Sequence, residues 1–371
     1  MSKIEYTNYL AEVGVDDKAA ERMVADTFDT IFFDENEGFC HHKDDDAYCI
    51  VDTGNMDART EGMSYGMMMC VQMDRQNIFD RLWTFAERYM LQKDGVYEGY
   101  FAWSVALDGS HNAEGPAPDG EEYFAMALFM ASARWGDGDG IYDYTQMAQE
   151  ILRHCVHQHE IVEGGEPMWE PSNRYIRFVP EAKFSDPSYH LPHFYEVFAL
   201  KADERDRSFW AEAARASREY IVSSAHPVTG LHAEYADYDG RSVFLFNKPW
   251  EYYSDAYRVI MNIALDRIWF GPHPDMDDVA TRVQDFFRDQ DMNYLMAYQR
   301  DGTVTEEPAM HPVALKAALA AASIAGSSEY RKMYMQQFIT TRLRQGRRRY
   351  YDNCLYFFAL LMLTGNYRLY I

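Results

Sequence analysis

The sequence predicts an all-α fold, an (α/α)6 barrel of six inner and six outer helices. Three observations carry this expectation. Some twelve helical segments follow one another with irregular loops between them. Helices with one wet face alternate with helices that are apolar nearly all round. No Pro/Gly/Ser-rich linker or disorder-prone tract divides the chain, so a single domain is expected over residues 1–371.

The segments fall near residues 18–33, 61–73, 75–91, 120–135, 141–157, 189–201, 205–223, 253–269, 276–290, 310–325, 327–344 and 351–364. In "RQNIFDRLWTFAERYML" the residues Phe79, Leu82, Trp83, Ala86 and Met90 line one face at helical spacing. In "DYTQMAQEILRHCVH" the stripe is Met147, Ala148, Ile151, Leu152, Cys155 and Val156. "DVATRVQDFFRDQD" sets Val279, Val283, Phe286 and Phe287 opposite its charges. Between these lie "GMSYGMMMCV", "EYFAMALFMASA", "PHFYEVFALKA", "AYRVIMNIALDRIW", "PVALKAALAAAS" and "DNCLYFFALLMLTG". A helix without a polar face is buried on every side, so these six are read as an inner ring wrapped by the others. An open helical solenoid would show self-similar repeats, and none is evident. Two long loops, 92–119 and 224–252, are rich in Trp, Tyr, Phe and Gly, as elaborated walls at one end would be.

Composition narrows the partners. With 59 acidic against 35 basic residues the formal net charge is −24. Such a surface repels nucleic acid and anionic membranes and suits a neutral ligand. No stretch reaches the ~20 apolar residues of a membrane span; "LYFFALLMLTG" is too short. The N-terminal segment is polar and lacks an apolar signal core. Five scattered cysteines, Cys40, Cys49, Cys70, Cys155 and Cys354, read as reduced thiols of a cytoplasmic protein. "FCHHKDDD" has no second Cys/His pair at zinc spacing, and "GDGDG" lacks the distal glutamate of a calcium loop and reads as a turn. No metal or cofactor is expected. Oligomeric state is not legible.

Polar residues gather at the N-terminal edges of the apolar helices: Glu61, Asp119, Tyr189, Asp255, His311, Tyr350 and Tyr351. Parallel inner helices would bring all of them to one mouth. Each has a plainer reading alone. Glu61 suits the positive end of a helix dipole. Asp119 and Asp255 suit N-caps. His311 precedes a helix-starting proline, and the tyrosines suit a core rim. Together, three acids facing one aromatic-walled cavity repel each other, which is tolerated mostly where chemistry needs it; two carboxylates across such a pocket are what glycoside hydrolysis requires, one donating a proton while the other stays ionised. To be the donor Glu61 must hold its proton; apolar burial and neighbouring acids favour this, while the helix end opposes it. Trp103, Trp250, Tyr252, Tyr253 and Tyr351 are candidates to stack on sugar faces.

"TEGMSYGMMM" resembles the acid-bearing signature of glycoside hydrolase family 8. The likeness continues in order through "PDGEEYFAMAL", "SDPSYHLPHFYEVFAL", "YYSDAYRVIMNIALD" and "YYDNCLYFFALLMLTG". It implies inversion, with the proton donor at Glu61 and the general base at Asp255. It also implies that Arg258 holds the base, that Tyr189 helps hold water and base, and that Asp119 holds the sugar. Trp103 falls on an aromatic sugar platform. Within the family the chain is most similar to reducing-end xylose-releasing exo-oligoxylanases, whose His-Pro kink closes the cleft; "AMHPVAL" supplies His311 and Pro312. Met310 stands where relatives carry Leu, and Asp119-Gly120-Glu121 where the family often reads Asp-Ala-Asp. The expected partner is a xylo-oligosaccharide. An endo-acting member (xylanase, endoglucanase or chitosanase) and a non-catalytic oligosaccharide-binding protein are the alternatives.

Overall fold

The computed structural model describes residues 4–246 and 248–371; of the single domain expected over 1–371, residues 1–3 and 247 lie outside the described residues. The described residues are mostly helical. The helices are α1 (Asp17–Phe33), α2 (Thr60–Gln72), α3 (Gln76–Phe85), α4 (Pro118–Trp135), α5 (Tyr144–Ile161) and α6 (Pro192–Lys201). They continue with α7 (Arg207–Ser224), α8 (Arg258–Phe270), α9 (Pro274–Asp289), α10 (Pro312–Ala322), α11 (Arg331–Thr340) and α12 (Arg349–Leu363). Every expected helix is present, and the two expected kinds are too. In α2 each residue but Glu61 is buried, and in α12 burial runs without a break from Tyr350 to Leu363. In α9 the stripe Met276, Val279, Ala280, Val283, Phe286 and Phe287 is buried while the charges stay outside.

The chain forms two compact units. One comprises Asp29–Ala182, Phe194–Ala214 and Leu369–Ile371. In it α2 packs against α3 and α4, and α4 against α5. Aromatic rings cement this packing: Tyr65 meets Tyr123 edge-on at 4.8 Å, and Tyr123 meets Phe194 in the same way at 4.8 Å. The other comprises residues through Phe28, Lys183–His193 and Arg215–Arg368. Here α10 packs against α8, α11 and α12. Small residues on α10 (Ala314, Ala317, Ala318, Ala320 and Ala321, all buried) let its neighbours approach. Large ones on α12 fill the space, and each fully buried Leu or Phe there contributes roughly 1.5–3 kcal/mol. Three of the unit boundaries fall within α1, α6 and α7, and the other two lie in irregular chain at 182/183 and 368/369.

Two differences from the expectation bear on the site. First, the apolar helices α6 and α8 start later than their sequence patterns. Pro187–Tyr189 and Asp255–Tyr257 are short 3-10 turns ahead of α6 and α8. Proline explains the first, because Pro192 cannot donate to a preceding helical turn. Second, the segments read as irregular loops contain strands. β1 (Cys40–His42), β2 (Tyr48–Asp52), β3 (Asp57–Arg59) and β4 (Ser104–Ala106) form an antiparallel sheet in that order, and β5 (Met296–Tyr298) pairs with β6 (Val304–Pro308). Strands of three to five residues are too short to show a period-two pattern, and β2 is buried along nearly its whole length. The "GDGDG" segment, 136–140, is a turn between α4 and α5, with Gly136 at φ +83°. All five cysteines are free thiols. Among the described residues no helix is long and apolar enough to cross a membrane, and no group of three or more His, Cys, Asp or Glu is placed to hold a metal.

Candidate active site

In the α2–α5 unit three expected residues come together. Glu61 sits in the first turn of α2, half-buried, with the extended Arg59 as N-cap. The strand-like entry through β3 ties this turn to the loop after α3, because the Thr60 N–H donates to the Trp103 carbonyl at 3.0 Å. Trp103 is 36% exposed, the most open tryptophan surface near this edge. The Arg59 guanidinium lies 5.1 Å from its ring centroid and is itself held by Asp52 at 3.2 Å and Asp57 at 3.1 Å. A cation on one side of an indole fixes its orientation and leaves the rest for a ligand.

Asp119 is the second residue of α4, after Pro118, and is 6% exposed. Asp119 is not the N-cap, since Ala117 holds that position. Gly120 explains how Asp119 reaches the Glu61 turn. A Cβ at Gly120 would stand 2.4 Å from the Thr60 Cβ, so α4 meets α2 backbone to side chain at this point. Glu121 turns inward instead. Its Oε1 accepts the Phe101 N–H at 3.0 Å, anchoring the strand of chain that leads to Trp103. Complete burial, and then the Asp119 charge, push its carboxyl well above the usual range, which favours the protonated form. Glu122 likewise faces inward and accepts the Tyr195 hydroxyl at 2.9 Å.

The α8–α12 unit carries the remaining expected residues. Asp255 opens a 3-10 turn and Arg258 follows as the first residue of α8. Three residues of tight turn put both side chains on one side. Arg258 Nη2 is 3.4 Å from Asp255 Oδ1, and its guanidinium lies 5.5 Å from the Tyr189 ring centroid. Asp255 does not act as a side-chain cap. Tyr351, in the first turn of α12, donates its hydroxyl to the Ser254 carbonyl at 2.9 Å, next to Asp255. Its ring is 4.7 Å from that of His311, the N-cap residue of α10. His311 Nδ1 donates to Asp352 Oδ2 at 3.0 Å.

Several functional candidates escaped sequence reasoning. Asp352 is wholly buried and binds His311, the Ala314 N–H at 2.8 Å and the Arg344 guanidinium. Arg344 also donates to the Met310 carbonyl, which clamps the His-Pro corner from behind. Asp186 caps the Tyr189 turn and faces Arg258. Glu234 accepts from Trp250 Nε1 at 3.1 Å and Lys248 Nζ at 3.2 Å. Burial, followed by the Asp255 charge, pushes its carboxyl up to about 7 against the pull of Lys248. An acid adjoining a motif residue was the available signal for Asp352, beside Tyr351, and for Asp186, which opens "DPSY". The stacking candidates divide. Trp250 packs against Tyr253 with centroids 4.6 Å apart and the rings tilted by 35°, whereas Tyr252 is 2% exposed and packs against Tyr257 and Phe287 as a core residue.

A pair of carboxyls beside aromatic faces is the equipment of enzymes that hydrolyse glycosidic bonds. The chain belongs to glycosyl hydrolases family 8, whose pattern matches residues 38–365. It is 51% identical over 368 residues to the reducing-end xylose-releasing exo-oligoxylanase Rex8A of Paenibacillus barcinonensis, covering 98% of this chain and 97% of the relative. It is 48% identical over 365 residues to a reducing end xylose-releasing exo-oligoxylanase of Bifidobacterium adolescentis, covering 96% and 95%. The solved structure of Rex8A from P. barcinonensis complexed with xylose superposes with a TM-score of 0.95 at 50% identity, covering 99% of this chain and 98% of that one.

Proposed function

We propose that this enzyme releases xylose from the reducing end of short xylo-oligosaccharides, with inversion at the cleaved anomeric carbon. The observation that carries the reading is identity near one half, along almost the whole chain, with relatives named for that activity. The alternation of wet-faced and buried helices supports taking them as outer and inner rings of an (α/α)6 barrel. Helices α1, α6 and α7, each of which runs across a unit boundary, support taking residues 1–371 as one domain. Five thiols without a disulfide support a cytoplasmic setting.

Glu61 is the general acid. It passes its proton to the glycosidic oxygen as the bond from that oxygen to the anomeric carbon breaks. Asp255 is the general base. It takes a proton from the water that attacks the same carbon from the opposite face. The cycle leaves Glu61 ionised and Asp255 protonated, and exchange with solvent resets both. Arg258 steadies Asp255 and Tyr189 borders the attacking water. Asp119 holds the hydroxyls of the sugar being attacked, and Trp103 stacks on the next ring away from the reducing end. His311 meets the reducing-end sugar. With Nδ1 committed to Asp352, its Nε2 is the atom that recognises the anomeric hydroxyl, and Tyr351 fixes the ring.

Comparison of xylotriose with its borohydride-reduced alditol tests this. The reading predicts rapid release of xylose from xylotriose and little release of xylitol from the alditol, because reduction opens the ring that His311 recognises. Equal cleavage of the two would refute reducing-end recognition.

A further inference from the structure

We propose that Asp186 is a positioning residue for the catalytic base: it holds the turn carrying Tyr189 and shares the Arg258 guanidinium with Asp255, leaving that charge to the base. The inference rests on the reading of Asp255 as the base. Asp186 Oδ1 accepts the Ser188 N–H at 2.7 Å and so caps the 3-10 turn Pro187–Tyr189. The same turn is tied to α8, because Asn262 Nδ2 donates to the Ser188 carbonyl at 2.9 Å. The second oxygen of Asp186 lies 3.8 Å from Arg258 Nη2, the nitrogen that stands 3.4 Å from Asp255 Oδ1. One side chain thus sets the turn beneath Tyr189 and the guanidinium beside Asp255.

A cap alone does not require an acid here, since serine or threonine would serve. What distinguishes Asp186 is its burial. Its side chain is 0% exposed, while that of Asp255 is 30% exposed. Arg258 brings one positive charge to two carboxyls, and the buried one gives up its charge at lower cost. The groups facing Asp186 are Asp255, Arg258 and the Tyr235 phenol. Burial first, and then the Asp255 charge, push the Asp186 carboxyl well above its usual range, while Arg258 and the Ser188 hydrogen bonds oppose this. Burial thus favours the protonated form of Asp186, which leaves the Arg258 charge to Asp255.

Asp186→Asn preserves shape and neutrality, whereas Asp186→Ala removes the acceptor for Ser188. On xylotriose, Asn should keep kcat within about threefold of the parent with the acidic limb of the pH profile unmoved. Ala should lower kcat by roughly tenfold or more and leave KM nearly unchanged. An Asn variant as damaged as Ala, or an Ala variant with full kcat, overturns the proposal. Infrared difference spectra of the folded enzyme add a readout independent of catalysis. A protonated carboxyl band should persist at neutral pH in the parent and lose intensity in Asp186→Asn; no loss of intensity overturns the proposal even if Ala fails to fold. A parent enzyme that releases no xylose would defeat the functional reading and leave the infrared result standing.

Discussion

His311 Nδ1 donates to Asp352 Oδ2 at 3.0 Å, and the carboxylate that receives it is wholly buried. Arg344 reaches the same oxygen, and Ala314 N–H takes the other at 2.8 Å. The imidazole is therefore fixed in tautomer and direction by a group that never meets solvent. Asp352→Asn keeps one acceptor and removes the charge that Arg344 and His311 share. It should raise KM for xylotriose severalfold with a smaller change in kcat, and lower stability by roughly 3 kcal/mol in denaturant unfolding. Unchanged KM would place His311 away from the substrate.

The helices of this chain were legible because each carries ten or more residues of one pattern, wet-striped as in α9 or dry all round as in α12. Glu61, Asp119 and Asp255 were legible because they mark the starts of such patterns. What lay hidden was whatever depends on partners far along the chain. Asp352 supports His311 across 41 positions, and Glu121 supports Phe101 across 20. The small sheet was hidden too, since β1, β3 and β4 are three residues each and pair across gaps no local period records. The late starts of α6 and α8 follow from proline and 3-10 geometry at the turns that present Tyr189 and Asp255.

Gly120 tests how the α2 and α4 turns are held. A methyl group there would lie 2.4 Å from the Thr60 Cβ. Gly120→Ala must therefore separate the turns that carry Glu61 and Asp119, at a cost of about 1–3 kcal/mol. Thermal unfolding should show the loss, and kcat should fall more than KM rises. Parent-like kcat would mean that the distance between these turns does not matter to the chemistry.

Trp103 tests the platform. Its ring is partly open and oriented by Arg59. Trp103→Ala should raise KM for xylotetraose by roughly tenfold, the equivalent of one lost aromatic stacking contact. Trp103→Phe should recover part of this. Equal KM in all three proteins would remove the residue from the binding site.

Glu234 gives a pH test of stability. Its carboxyl ordinarily titrates near 4.5 and in the fold near 7, so the folded chain binds the proton more tightly than the unfolded chain. Its contribution is full below pH 4.5 and is lost as pH rises toward 7. The loss is on the order of 3 kcal/mol. Glu234→Gln should flatten stability against pH over that window, as read by urea unfolding at several pH values. An unchanged slope would assign the pH dependence to other groups.

The central claim is that Glu61 and Asp255 act as acid and base of one inverting cleavage at the reducing end. Its most direct test is proton NMR of fresh xylotetraose hydrolysis, read before anomers equilibrate. The account predicts xylose and xylotriose as first products, with the new xylotriose end in the α configuration, and no hydrolysis by Glu61→Ala or Asp255→Ala. Xylobiose as the main first product, a β end, or full activity in either variant would contradict it.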